Sequence, residues 1–86
     1  MIYKYKLDIT DHQSIKVGDR KARPLSVAEQ RGELVMWVML DEDYANGDCM
    51  MDVQIIGTGN LHPTPIGDFV GTVPMSNGLV WHIFAY

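Results

Sequence analysis

SVAEQRGELVMWVML, residues 26–40, decides the fold, because it reads either as one helix or as two strands folded back on each other. Ser26 followed by Glu29 resembles a helix capping box, in which a hydroxyl and a carboxyl group satisfy the first free N–H groups. Two facts oppose it. Gly32 would cost roughly 1 kcal/mol in a helix interior, and Leu34 to Leu40 is apolar without a gap, whereas an amphipathic helix carries a single stripe. A turn at Arg31-Gly32, leading into a strand buried on both faces or lying at a subunit contact, explains the run more simply.

Working outward, the period stays at two, as half-buried strands require. MIYKYKL sets Tyr3, Tyr5 and Leu7 on one face and Lys4 and Lys6 on the other. SIKV is a second, short strand candidate, reached through a bend at Thr10-Asp11-His12-Gln13, where a helical turn over 10–14 is an alternative. CMMDVQII follows Asn46-Gly47, and FVGTV and GLVWHIFAY are separated by Ser76-Asn77-Gly78. Asn-Gly supplies positive φ cheaply at both central residues, which predicts a type I′ turn and a C-terminal hairpin. Pro74 cannot donate to a ladder, so its N side faces solvent or marks an irregularity. Together these segments predict an all-β chain, a small antiparallel sandwich or partly closed barrel of about six to seven short strands.

Eighty-six residues make one domain, 1–86, which buries roughly 60–65% of its unfolded surface. A 47% hydrophobic and 21% charged composition is that of a folded chain. The net charge of −4 argues against direct binding to a nucleic-acid backbone. No apolar stretch approaches membrane-spanning length and no signal-type start is visible, so no membrane association is expected and the expected setting is cytoplasmic. Cys49, the single cysteine, excludes an internal disulfide and a multi-cysteine metal site.

VQIIGTGNLHPTPIGDFVGTV, residues 53–73, raises the question of a phosphate-cradling loop. Neither the spacing that ends in Gly-Lys-Ser/Thr nor a three-glycine fingerprint is present. Two nearby prolines, Pro63 and Pro65, oppose the helix such loops need. Gly57-Thr58-Gly59-Asn60 therefore reads as a strand end with a turn or bulge, an anion nest of backbone N–H groups being the alternative.

His12, His62 and His82 fall in three segments without metal-ligand spacing, so no metal is expected. His82, between Trp81 and Ile83, reads as a hydrogen-bonded structural residue. Ser14, Ser26 and Ser76 lack a nucleophile elbow, and Cys49 has no basic sequence neighbour to activate it. No catalytic residue and no cofactor are expected. Asp41, Glu42, Asp43, Asp48 and Asp52 form a solvated hairpin tip or an acidic docking surface. Lys16, Arg20, Lys21 and Arg23 form the one concentration of positive charge along the chain.

MIYKY, the Asp11-x-Gln13-x-Ile15 spacing, LSV followed by Gly32 and Trp37, IIGTGN, FVGTV and GLVWHIFAY together resemble a family of small, uncharacterised β-rich proteins carried by bacteriophages and prophages. The resemblance covers nearly the whole chain. It implies a phage setting, the cytoplasm of an infected bacterium and a β-rich fold, and it brings no catalytic residues. Gly-Thr-Gly is commonly followed at once by His in that family, whereas here Asn60 follows and the histidine is His62, so no histidine role carries over.

The expected function is that of a non-enzymatic binding protein directed at a host or phage macromolecule, such as an inhibitor of a host defence factor. The alternative is a binder of an anionic small molecule or nucleotide, with its pocket between subunits. Recognition is expected at Arg20, Lys21 and Arg23 and at Gly57, Thr58, Gly59, Asn60, His62 and Trp81, with the two loops free to lie together or apart. If apart, each is just a turn. The apolar 34–40 run and the aromatic C-terminus predict a homodimer.

Overall fold

The computed structural model describes residues 1–18, 21–40, 49–62, 64–65 and 67–86. It is all-β: β1 (Ile2–Leu7), β2 (His12–Lys16), β3 (Arg23–Gln30), β4 (Glu33–Met39), β5 (Met50–Gly57), β6 (Asp68–Pro74) and β7 (Val80–Ala85). Every pairing is antiparallel. One sheet has the order β1-β4-β3 and the other β2-β5-β7-β6. Two separate sheets make a sandwich rather than a closed barrel.

The 26–40 stretch is a hairpin, with Gln30 opposite Glu33 across Arg31-Gly32. The capping-box carboxylate has another use: Glu29 accepts the Ser76 backbone N–H at 3.0 Å and the Ser76 hydroxyl at 2.9 Å, fastening β3 to the distant β6–β7 loop. Residues 10–14 contain no helical turn. β2 starts at His12, and the Gln13 amide bridges the bend, donating to the Asp8 carbonyl at 2.7 Å and accepting the Asp8 N–H at 3.1 Å.

Alternation places the core. Leu7, Leu34, Met36 and Val38 of the first sheet meet Met51, Val53, Ile55, Val73, Ile83 and Ala85 of the second in one buried cluster. Each Val, Leu, Ile or Met side chain among them contributes about 1.5–3 kcal/mol by leaving water. Tyr3 and Tyr5 pack at its margin. Burial, with Tyr3 adding to it, pushes the Tyr5 hydroxyl above its ordinary pKa of 10.0.

The unbroken apolar run finds its reason in β4 being the central strand. Leu34, Met36 and Val38 face the core, whereas Val35 points to the opposite face and is still only 3% exposed. Lys4 Nζ donates to Gln30 Oε1 at 3.0 Å, linking the strands on either side of β4 diagonally across the row that holds Val35. The lysine stem shields apolar surface while its charged head stays wet.

Candidate functional site

β2 and β5 differ in length, and that difference opens a cavity. β2 begins at His12 opposite Gln54, so Ile55, Ile56 and Gly57 run beyond its ladder while still pairing with β7. The 8–11 bend turns over this overhang, held by the Ile55 N–H, which donates to the Asp11 carbonyl at 3.1 Å. On the other side the chain leaves β5 in a tight turn. Asn60 N–H donates to the Gly57 carbonyl at 3.2 Å, and Thr58 N–H to the Val80 carbonyl at 3.1 Å. Gly59, the third residue of the turn, has φ +83°, the left-handed value that favours glycine in a type II turn. A Cβ on Gly57 would collide with the Asn60 amide and come within 2.9 Å of Trp81 Cζ3. The indole therefore lies directly on the Gly57 backbone, and the strand-end reading of Gly-Thr-Gly-Asn is the one realised.

The resulting cavity holds about 340 Å³. Trp81, Ile55, Ile56 and Leu61 supply apolar wall, and Asp11, His12, Gln54, Asn60 and His62 supply hydrogen-bonding groups. Among the described lining residues there is no lysine or arginine. Donors and acceptors around an apolar wall suit a neutral, polar ligand; a phosphate would lose water beside Asp11 with no strong cation to replace it.

Of the residues singled out from the sequence, Gly57, Asn60, His62 and Trp81 line this cavity. Thr58 and Gly59 shape the turn. The Thr58 hydroxyl is engaged elsewhere, 2.7 Å from His82 Nε2, while Thr72 Oγ1 lies 2.9 Å from His82 Nδ1. His82 thus ties the turn to β6 through both ring nitrogens, the structural role read for it.

The basic segment is elsewhere. Lys16 is at the far end of β2 from His12, and Arg23 opens β3, where its guanidinium donates to Met39 Sδ at 3.4 Å. Neither Lys21 nor Arg23 lines the cavity, and Arg20 lies outside the described residues. Among the described residues, the basic segment and the Gly57–His62 turn do not come together in one site. Asp41, Glu42, Asp43 and Asp48 are also outside the described residues.

Asp11, His12 and Gln54 were not singled out as binding residues. They reach the cavity through the β2–β5 register, which leaves no local mark in the sequence. His12 has a second environment at its ring: Nε2 is 3.6 Å from Asp52 Oδ1 and 3.5 Å from the Tyr86 hydroxyl, and Ser14 Oγ donates to the same Asp52 oxygen. The order is Ser–Asp–His with the carboxylate in the middle. A nucleophilic triad needs the imidazole between the other two so that it can take the hydroxyl proton. Among the described residues no group of three His, Cys, Asp or Glu side chains is arranged to hold a metal ion, and no helix is long and apolar enough to cross a membrane.

Fold and site define a two-sheet β-sandwich with a loop-rimmed cavity at one end, an architecture in which a rigid scaffold presents variable loops. More particularly, the chain belongs to the family described as Domain of unknown function (DUF7352), whose model matches residues 1–86. Comparison with curated proteins and with solved structures returned no match.

Proposed function

We propose that this chain is a non-catalytic binding protein that holds a small, uncharged, hydrogen-bonding ring compound, such as a nucleoside-like heterocycle, in the cavity beside Trp81. One observation carries this reading: about 340 Å³ of space, within the range of small-ligand pockets, lined by an indole, aliphatic side chains and several polar residues. The described lining already combines an indole with polar side chains, so this reading calls on no residue of a second subunit. The absence of lysine and arginine from its described lining favours a neutral ligand over an anionic nucleotide. In the phage setting that the sequence resemblance implies, such a protein works stoichiometrically in the host cytoplasm, withdrawing a compound on which a host factor depends.

Native mass spectrometry of the full chain purified from bacterial cells tests this. The expected result is a bound small molecule that is lost in Trp81→Ala and in Gly57→Val while circular dichroism keeps its β signature. A chain that carries no adduct and shows no thermal shift with a panel of nucleosides and neutral heterocycles would overturn the reading. Recovery of a stable complex with a host protein, unaffected by Trp81→Ala, would replace it with recognition of a macromolecule.

A further inference from the structure

We infer that the free edge of β1, with the outer face of its sheet, is a docking site for an extended acidic polypeptide segment, which adds to the sheet as a fourth strand. This inference does not depend on the cavity.

Charge is the first observation. The chain carries −4 overall, yet four of its seven lysines and arginines belong to the outer side of the three-stranded sheet. Lys4 and Lys6 stand on β1, Arg31 joins them beside Val35 and Glu33, and Arg23 reaches over Met39. Glu33, 3.3 Å from Lys6 Nζ, is the one acid among these described residues. An acidic protein thus presents one basic face, and that face attracts the opposite charge.

Backbone geometry is the second observation. Met1 and Leu40 exchange both hydrogen bonds, the terminal amino group donating at 2.9 Å and the Leu40 N–H at 2.8 Å. In an antiparallel ladder such doubly bonded pairs recur at every second residue. Tyr3, Tyr5 and Leu7 therefore bond to β4, and the N–H and C=O groups of Ile2, Lys4 and Lys6 point away from it. β1 is the outermost strand of its sheet, so among the described residues no strand takes up those groups. An incoming strand would find backbone partners at Ile2, Lys4 and Lys6, two of which carry cationic side chains.

These two facts select the occupant. A second copy adding antiparallel through β1 would set Ile2, Lys4 and Lys6 of one chain against the same residues of the other, placing like charges side by side. A segment with Asp or Glu at every second position instead places carboxylates on the lysine face at a spacing of about 6.7 Å, the two-residue repeat of a strand. Its intervening residues turn toward the side of Tyr3 and Tyr5, which are half-buried, and are best apolar. Main-chain hydrogen bonds then supply affinity and the acid alternation supplies selectivity.

Fluorescence anisotropy with a short labelled peptide alternating Glu and Val tests the proposal on the full chain. The peptide should bind, an alternating Lys and Val peptide should not, and Lys4→Glu combined with Lys6→Glu should weaken binding by about tenfold or more. Lys4→Pro should weaken it well beyond Lys4→Gln, because proline removes an N–H that the β1–β4 ladder does not use. If Lys4→Pro fails to fold, a peptide N-methylated at its glutamates provides the same contrast on the unaltered protein. Equal binding of the N-methylated peptide, or of a peptide with its glutamates clustered, would reduce the effect to diffuse attraction and overturn strand addition. Preferential, Lys4-dependent and Lys6-dependent binding of an oligothymidylate would overturn it in favour of a nucleic-acid surface.

Discussion

The two hairpins close in opposite ways to what their turn residues announce. Asn77-Gly78 is the pair expected to form a type I′ turn, yet the β6–β7 loop has three residues, Ser76, Asn77 and Gly78. The Gly78 N–H donates to the Met75 carbonyl at 3.0 Å, the Met75 N–H donates to the Leu79 carbonyl at 2.7 Å, and only Gly78, at φ +91°, is left-handed within the loop. Arg31-Gly32 carries φ values of +52° and +80° between Gln30 and Glu33, the two-residue turn with both centres left-handed. Arg31 is the one non-glycine at positive φ among the described residues.

Register explains the exchange. Val73 pairs with Trp81 and Gly71 with Ile83; Val73 and Ile83 are buried in the core, and Trp81 packs against it from the same face. Keeping inward residues opposite inward residues centres the hairpin on Asn77, which demands an odd loop; a one-residue slip would pair Val73 with the outward His82. In β3–β4 the same requirement, Val27 opposite Met36, centres the turn between Arg31 and Gly32 and demands an even loop. Burial chooses the register, and the turn residues accept the conformation it leaves them.

The sharpest way to break this comparison is to remove the burial that sets it. Val73→Asn, which puts an amide into the core at a 3% exposed position, should destabilise by about 3 kcal/mol or more in urea unfolding. A change below 1 kcal/mol would show that the turn, not the core, holds the register. Next come the glycines themselves. Gly32→Ala and Gly78→Ala meet nothing within 4 Å, so each should lose about 1–2 kcal/mol from backbone strain alone, and near-equal losses would show that the two loops differ in length but not in what they ask of glycine.

Glu29→Ala removes both bonds to Ser76 and should lose about 1 kcal/mol, with Ser76→Ala losing less because the backbone N–H still donates. No loss in either variant would mean that the long-range clasp does not stabilise the three-residue loop. Arg31→Asn should gain a few tenths of a kcal/mol, since asparagine tolerates the left-handed region better than arginine; a loss would point to a contact of the arginine side chain outweighing its backbone strain. Smallest is an alkaline effect confined to the first sheet. The Tyr5 pKa is raised in the fold, so its contribution is fully present below pH 10 and is lost as pH rises through the folded value. Tyr5→Phe should flatten the stability profile there, and an unchanged alkaline slope would place its origin elsewhere.

Strand positions were legible because alternation is local: Tyr3, Tyr5 and Leu7 are inward on β1 as their spacing says. The Leu34 to Leu40 run was legible as a buried strand, but the lysine and glutamine that cover its outer side come from residues 4 and 30. At the site, Gly57, Asn60, His62 and Trp81 carried a signal in unusual turn residues and an aromatic C-terminal strand. Asp11, His12 and Gln54 carried none, because an ordinary polar residue joins a cavity only through the strand opposite it. The basic segment stays apart from the cavity for a related reason: its sequence clustering is real, but Lys16 stands four residues along β2 from His12, roughly 13 Å at strand rise, and Arg23 opens β3.

What the sequence by itself determined is therefore the β class, the strands as segments and the hairpin at residues 26–40, since each rests on period two and on the helix penalty of Gly32. The division into a three-stranded and a four-stranded sheet, the turn type of each hairpin, the cavity beside Trp81 and the free β1 edge were decided by tertiary structure. Those features depend on which residues of distant segments face each other, and burial of one common core selects that pairing from registers that local propensity leaves nearly equal.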